Sequence, residues 1–295
     1  MADCNTCNGT YLSVEDLIRR SVRCNSEGKV AFVGTELNVF ANSETVYADS
    51  TRTITIDGET MSYAEYFERD NERFSELYGY ALPMPVISFI DDDGANGVLT
   101  KLKPLFTAKS VPIGLALIGN SPVITDAVKR AEIVDLQDTN GWEIISHTMT
   151  HLDISAASEA EYEADCQLFL QTFTEYGLNV KSIAFPWGHD NYHTEITKQY
   201  YESGFSTWVG NNTIQNLNEY KIKRIGLGSF NNNQTDLASF QILIDNAILN
   251  NEWIVFMTHC DYETNDMQII SDVLDYCVAQ GVSILTPSEA LKLYK

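Results

Sequence analysis

The sequence predicts an α/β fold: a distorted (β/α) barrel of seven or eight parallel strands with a small mixed α+β N-terminal module. Two observations predict it. From residue 86 onward, short apolar runs alternate with amphipathic segments, as expected of parallel strands covered by helices. This part of the chain has roughly 210 residues, which fits a barrel at the small end of the known size range. An open doubly wound sheet is the alternative.

The predicted module has strand and helix signals of its own. Residues 29–40 and 45–56 have the pattern of short strands, and Asp57-Gly58 is typical of a hairpin turn. Ser62 stands at the expected start of a helix. Free thiols, a disulfide and an N-terminal metal site are all open for the three cysteines of this module, which are Cys4, Cys7 and Cys24. The role of the module is unknown.

Two prolines, Pro83 and Pro85, mark the predicted boundary between a module at residues 1–83 and a domain at residues 84–295. The apolar runs of the domain are its predicted strands: 86–90, 112–118, 142–146, 182–185, 205–209, 222–226, 253–258 and 282–285. The amphipathic segments are its predicted helices: 157–176, 191–203, 235–250 and 264–279. In a barrel or an open sheet of this kind, reactive residues gather just after the strands.

The charge of the chain excludes some partners. There are 19 Lys and Arg against 41 Asp and Glu, for a formal net charge of -22. Such a surface repels phosphate backbones and anionic lipids, so no nucleic acid or membrane surface is expected as a partner. The longest apolar stretch, residues 111–119, is too short to span a bilayer. No signal peptide is expected in this chain, and secretion or surface attachment would involve processing.

Three consecutive carboxylates, Asp91, Asp92 and Asp93, directly follow the apolar run 86–90, and Gly94 comes next. Adjacent carboxylates repel one another and hold protons more tightly, and a bound cation relieves that repulsion. A solvated acidic turn is the alternative interpretation.

Two histidines, His147 and His151, follow the run that ends at residue 146. Side chains at i and i+4 on a helical turn point the same way, which suits two ligands of one metal. The pair lacks the glutamate of the zinc-protease motif, so a general base must come from elsewhere. An ordinary histidine pair at a helix start is the alternative.

A single histidine, His259, ends the run 253–258, where either a general acid or a structural histidine is expected. Together, the three strand ends satisfy a hydrolytic mechanism. Two imidazoles and one carboxylate make a three-ligand metal site with an open position. A second carboxylate accepts a proton from water, and a separate histidine protonates the leaving group.

These motifs resemble those of the NodB-type polysaccharide deacetylases, carbohydrate esterase family 4, over roughly residues 85–295. Asp92-Asp93-Gly94 resembles the end of the family's T-F-D-D-G motif, and residues 147–151 resemble its H-[S/T]-x-x-H motif. Residues 184–187, Ala-Phe-Pro-Trp, resemble R-x-P-[Y/F] in part, and residues 256–259 resemble L-x-x-H.

The resemblance implies a metal-dependent hydrolase that removes acetyl groups from an N-acetylated or O-acetylated polysaccharide by attack of a metal-bound water. It implies that Asp93, His147 and His151 hold one divalent metal, usually zinc. Asp92 would be the general base, and His259 would be the general acid.

The resemblance also implies substrate contacts. The backbone N–H of Trp187, in the segment that begins with Pro186, would complete the oxyanion site, and Phe256 with Trp187 would line a pocket for the acetyl methyl group. The sequence departs from the family at two positions. Asp91 replaces an aromatic residue, so Asp91 and Asp92 are the alternative to the pair that Gly94 favours. Ala184 replaces an arginine that orients the base, and Arg224 is the hypothetical substitute.

Two further functions remain open from the sequence. The same site would serve to hydrolyse a small cyclic amide or imide, since relatives in the family cut such rings. A non-catalytic module for glycan binding or assembly is the other, and the missing arginine at position 184 supports it. Exposed aromatic residues would suit an acetylated carbohydrate, but they do not exclude a small ring.

Overall fold

The computed structural model describes residues 84–228, 236–263 and 265–295, together with five short strands before them. The chain divides into two units, Met1–Leu82 and Pro83–Lys295. The described strands of the first unit form a three-stranded antiparallel sheet and a separate two-stranded one. They are β1 (Arg23–Cys24), β2 (Lys29–Val33), β3 (Leu37–Phe40), β4 (Thr53–Ile56) and β5 (Glu59–Ser62).

The hairpin predicted at Asp57-Gly58 is confirmed. Strands β4 and β5 flank these two residues and pair in antiparallel register, with Thr53 opposite Ser62 and Ile56 opposite Glu59. Ser62 is the last residue of β5, and the helix predicted from it lies outside the described residues. The same holds for the first two cysteines of the predicted module, Cys4 and Cys7.

The second unit is built on one curled parallel sheet. Seven of its strands follow the order β10-β9-β8-β7-β6-β12-β11, and β13 pairs with the beginning of β6. The strands are β6 (Val86–Asp93), β7 (Gly114–Leu117), β8 (Glu143–Ser146), β9 (Val180–Ala184), β10 (Ser203–Phe205), β11 (Ile225–Gly226), β12 (Trp253–Thr258) and β13 (Ser283–Ile284). The predicted distorted (β/α) barrel is thereby confirmed.

Helices pack against this sheet, and all of them except the last cover its outer face. A π-helical turn at Val98–Leu102 leads into the first of them. The helices are α1 (Lys103–Ala108), α2 (Pro122–Thr125), α3 (Ala127–Asn140), α4 (Glu159–Glu175), α5 (Thr194–Tyr200), α6 (Leu237–Asn250), α7 (Met267–Gln280) and α8 (Pro287–Tyr294). A capping box of Ser158 and Glu161 begins α4. Every helix in the described part of the chain falls short of the length and apolar character that crossing a membrane requires.

The strand side chains themselves distinguish a barrel from an open sheet. Alternate residues of a strand point to opposite faces. One set packs outward against the helices, and the other set forms a separate inner core, to which Ala290, Leu291 and Tyr294 of α8 also belong. This inner core takes residues from six strands: Val86, Ile90, Ala116, Ile145, Ala184, Phe205, Trp253 and Val255. An inner face filled by the sheet's own side chains is typical of a barrel and not of a doubly wound sheet.

Candidate metal centre

The three aspartates at the end of β6 have three different surroundings. Asp91 is fully buried and accepts a hydrogen bond from the backbone N–H of Cys260 at 2.8 Å. Asp92 is also buried, and both of its oxygens accept hydrogen bonds from Nη1 of Arg224, at 2.8 and 3.0 Å. Asp93 has a φ of 79°, in the left-handed region, and its side chain lies beside His147 and His151. Strand alternation therefore separates Asp91 from Asp92, and Asp93 departs from that alternation because its backbone is not extended.

His147 and His151 are the second part of the cluster. Their Nε2 atoms lie 3.6 and 3.8 Å from Oδ1 of Asp93. The Nδ1 atom of His147 lies 2.7 Å from the carbonyl oxygen of Ala184, which only accepts, so Nδ1 carries a proton and donates it there. In the neutral ring, the lone pair of Nε2 is then directed toward Asp93. Burial lowers the pKa of His147, against the opposing influence of Asp92 and Asp93.

The turn that carries these histidines differs from the prediction. Residues 147–151 were expected on a helical turn, but they form an irregular turn in which Thr148 and His151 have φ values of 61° and 58°. The hydroxyl of Thr148 accepts a hydrogen bond from the N–H of Leu152 at 2.7 Å. The i, i+4 spacing still brings both rings together, with 4.9 Å between their centroids.

The donor set fits a single divalent metal. Asp93, His147 and His151 each offer one ligand atom, and these atoms lie within 4.8 Å of one another. Ligand atoms that share a tetrahedral ion at about 2.1 Å lie about 3.4 Å apart, close to the separations seen here. Two imidazole nitrogens and one carboxylate oxygen are ligands that zinc accepts readily.

The charges around Asp92 oppose its burial. Burial is the largest influence and by itself raises the pKa. Attraction to the guanidinium of Arg224, with further contributions from His147 and His259, outweighs burial, so the pKa of Asp92 lies below its ordinary value. Burial also dominates at Asp91, where it raises the pKa of the carboxyl well above its usual range. The pKa values of these two adjacent carboxyl groups are therefore shifted in opposite directions.

His259 follows β12 at the same end of the barrel. Its ring lies against the ring of Tyr262, with 4.6 Å between centroids. The hydroxyl of Tyr262 is 3.3 Å from Oδ2 of Asp93. Sequence reasoning did not single out Tyr262, because its position in a loop after the motif carries no periodic signal.

Trp187 and Pro186 follow β9. Pro186 is buried, whereas Trp187 is 66% exposed and has a φ of 59°. The indole edge lies against the ring of His151, with 4.7 Å between centroids. Trp187 therefore borders the cluster from the β9 side, and most of its ring faces solvent.

Phe256 requires a correction. It was expected to line a pocket beside the metal, but its ring packs in the outer core against Phe89 and Phe240, at centroid distances of 5.5 and 5.9 Å. Strand alternation places Met257 on the opposite, inner face of β12, where 8% of it is exposed. Sequence reasoning did not single out Met257, although the alternation of β12 was a signal for its inward orientation.

Asp165 on α4 accepts hydrogen bonds from the turn that carries His147 and His151. Its two oxygens accept hydrogen bonds from the N–H of Met149, at 3.2 and 3.1 Å. Burial raises the pKa of Asp165 to about 6. Because the folded state holds this proton more tightly than the unfolded chain, whose aspartates have a pKa of about 3.9, stability falls as pH rises from about 4 to 6.

Asp165→Asn is therefore expected to gain stability over the native chain as pH rises from about 4 to 6, with no further gain above that range. Urea denaturation at closely spaced pH values measures the difference between the two proteins. Glu163→Gln, on the same helix, is the matched control. An equal gain in the control would contradict the assignment of this pH dependence to Asp165.

Comparisons with known proteins bear on the domain as a whole. Residues 80–223 match a family model described as polysaccharide deacetylase. The fold is similar to a chitin deacetylase from Colletotrichum lindemuthianum, with 13% sequence identity, a TM-score of 0.51, and 70% of this chain and 88% of that chain covered. It is also similar to a CE4 family pseudoenzyme from Bacillus anthracis, with 14% identity, a TM-score of 0.50, and 71% and 66% covered. At such identities the similarity indicates the fold alone. Comparison with curated protein sequences gave no match.

Proposed function

Since residues 80–223 of this chain match a family model described as polysaccharide deacetylase, we propose that it is a metal-dependent hydrolase that removes acetyl groups from an N-acetylated or O-acetylated polysaccharide. One observation carries the proposal. The ligand atoms of Asp93, His147 and His151 lie within 4.8 Å of one another, and Asp92, the residue before Asp93, forms a buried pair with Arg224. A carbohydrate substrate is proposed from the family, and the exposed indole of Trp187 supports it because aromatic faces stack on sugar rings.

In the proposed centre, Asp93, His147 and His151 would hold one divalent ion, and we propose zinc. A bound ion of this kind supplies Lewis acidity, which polarises a carbonyl and acidifies water. The hydrogen bond from Nδ1 of His147 to the carbonyl of Ala184 fixes the ring orientation and leaves Nε2 as the ligand atom.

Asp92 would take the proton of the attacking water. Its lowered pKa keeps the carboxylate ionised at neutral pH, as a proton acceptor must be. Arg224 contacts both oxygens of Asp92 and also donates from Nε to the carbonyl of Ser206 at 2.8 Å, so the carboxylate has one orientation. Arg224 would therefore do what an arginine at position 184 does in the family.

His259 would protonate the leaving group. The oxygen of water bonds to the acetyl carbon, the bond from that carbon to the sugar nitrogen or oxygen breaks, and the leaving atom takes the proton of His259. The products are acetate and a free amine or hydroxyl. The backbone N–H of Trp187 is our candidate donor to the oxyanion that forms on the acetyl oxygen.

The direct test is acetate release. Zinc-loaded protein is expected to release acetate from acetylated chitin oligosaccharides or peptidoglycan fragments, with turnover in the ordinary enzymatic range of about 1–1,000 per second on the best substrate. An enzymatic acetate assay on a panel of N-acetylated and O-acetylated glycans measures it. No acetate from any glycan, with folded and metal-loaded protein, contradicts the proposal.

The same panel separates the remaining interpretations. Small cyclic amides and imides are included, and opening of a ring without acetate release from any glycan would favour that chemistry. Binding of glycans without turnover, or failure of the protein to take up a divalent metal, would favour a non-catalytic module.

A further inference from the structure

Asp91 is a buried carboxyl group to which the proposed reaction assigns no role. It lies at the end of β6 and is paired in register with Thr258, the residue before His259. Its Oδ1 accepts the backbone N–H of Cys260 at 2.8 Å, and its Oδ2 lies 3.3 Å from the thiol of Cys260. Burying a carboxylate is costly unless specific hydrogen bonds compensate, so the partners of such a group identify what it holds in place.

Besides Asp91, residues Gly97 and Lys101 also form hydrogen bonds to the loop after β12. The N–H of Gly97 donates to Oδ2 of Asp261 at 3.0 Å, and Lys101 donates to the carbonyl of Cys260 at 2.7 Å. A Cβ atom at Gly97 would lie 2.3 Å from Oδ1 of Asp261 and 2.8 Å from the thiol of Cys260. The loop is therefore in close contact on both sides, and the residue directly before it is His259.

We propose that Asp91 is a positioning residue for the proton donor. By accepting the hydrogen bond from the backbone N–H of Cys260, it determines the position of the His259 ring. The inference rests on the proposed function, since it assigns Asp91 to the protonation step of that reaction. A misplacement of about 1 Å is enough to lower a catalytic rate about 100-fold. The proposed role of Asp91 also accounts for three consecutive aspartates. One would bind the metal, one would accept a proton, and one would position the proton donor.

The test compares two leaving groups. An N-acetylated chitin oligosaccharide has an amine leaving group that needs a proton, whereas 4-nitrophenyl acetate has a leaving group that departs without one. Asp91→Ala is expected to lower kcat on the oligosaccharide about 100-fold or more, the usual contribution of a general acid, and to change 4-nitrophenyl acetate hydrolysis less than about threefold. Zinc affinity and KM stay within about twofold.

Three further variants complete the experiment. Asp91→Asn keeps an acceptor for the N–H of Cys260 and is expected to recover most of the lost rate. Gly97→Ala displaces the same loop without touching Asp91, so it gives the same selective loss even where Asp91→Ala fails to fold. Glu143→Gln, which changes a buried carboxylate at the opposite end of β8, is the control and leaves the ratio of the two rates unchanged.

Two readouts decide the outcome. The amide of Cys260 is expected to exchange with solvent deuterium at least about tenfold faster in Asp91→Ala than in the native chain. The double variant Asp91→Ala with His259→Ala is expected to lose no more of the deacetylation rate than His259→Ala alone. Equal loss on both substrates, or additive loss in the double variant, overturns the inference while acetate release by the native chain still supports the proposed function. A native chain that hydrolyses 4-nitrophenyl acetate but no acetylated glycan rejects the proposed function instead.

Discussion

Replacing His147 with alanine is expected to abolish acetate release and to weaken zinc binding by more than about 100-fold. The loss of a partner that only supports a ligand already costs about 10–100-fold in metal affinity or activity, and the proposal makes His147 a ligand itself. The change also leaves the carbonyl of Ala184 without the buried N–H that it accepts. No other described trio of metal-binding side chains lies close enough together to take over.

Calorimetric zinc titration and the acetate assay on N-acetylated oligosaccharides measure the two effects of His147→Ala. His189→Ala is the matched control, because the ring of His189 pairs with Asp153 at 2.8 Å and lies outside the cluster. The control is expected to retain both zinc and activity. If His147→Ala binds zinc as tightly as the native chain, the metal centre is assigned to the wrong residues.

Arg224→Ala is expected to destabilise the fold by about 3–5 kcal/mol and to lower kcat about 100-fold or more. Arg224 is 1% exposed and contacts both oxygens of Asp92, so its loss leaves a buried charge unpaired. Burial then dominates, the pKa of Asp92 rises, and less of the carboxylate is ionised to accept a proton.

The pH dependence of the Arg224→Ala effect has a definite sign. In the native chain the pKa of Asp92 is lowered, so the stability that this pair contributes is present above the unfolded value of about 3.9 and is lost as pH falls below it. The difference between Arg224→Ala and the native chain is therefore largest near neutral pH and shrinks toward pH 3. Urea denaturation at several pH values measures it.

Arg224→Lys is the control for geometry. It keeps a positive charge but lacks the planar guanidinium that reaches Asp92 and the carbonyl of Ser206 together, so an intermediate loss of activity is expected. Full activity in Arg224→Ala would refute the orienting role. Arg224 lies directly before β11 and Ala184 ends β9, so the two positions lie at different strands of the same sheet. A guanidinium from either strand approaches the carboxylate because the barrel brings the strand ends together.

The sequence by itself determined the order of strands and helices and the residues that end the strands. Both are recorded in local patterns: apolar periodicity predicts the element, and polar residues at the ends of β6, β8 and β12 mark the end of the barrel where they meet. The spacing of His147 and His151 likewise predicted a pair that the structure brings together, although on an irregular turn and not a helical one. These features can be predicted from residues that are close together in the sequence.

Only the tertiary structure decided which face of a strand each side chain occupies. Strand alternation has a period of two, so a shift of one residue exchanges inner and outer faces, and packing alone selects the register. That choice directs Asp91 to Cys260, places Asp92 beside an arginine 132 residues away, and turns Phe256 outward while Met257 faces in. Contacts between residues so distant in sequence are set by barrel closure, and no local pattern in the chain records them.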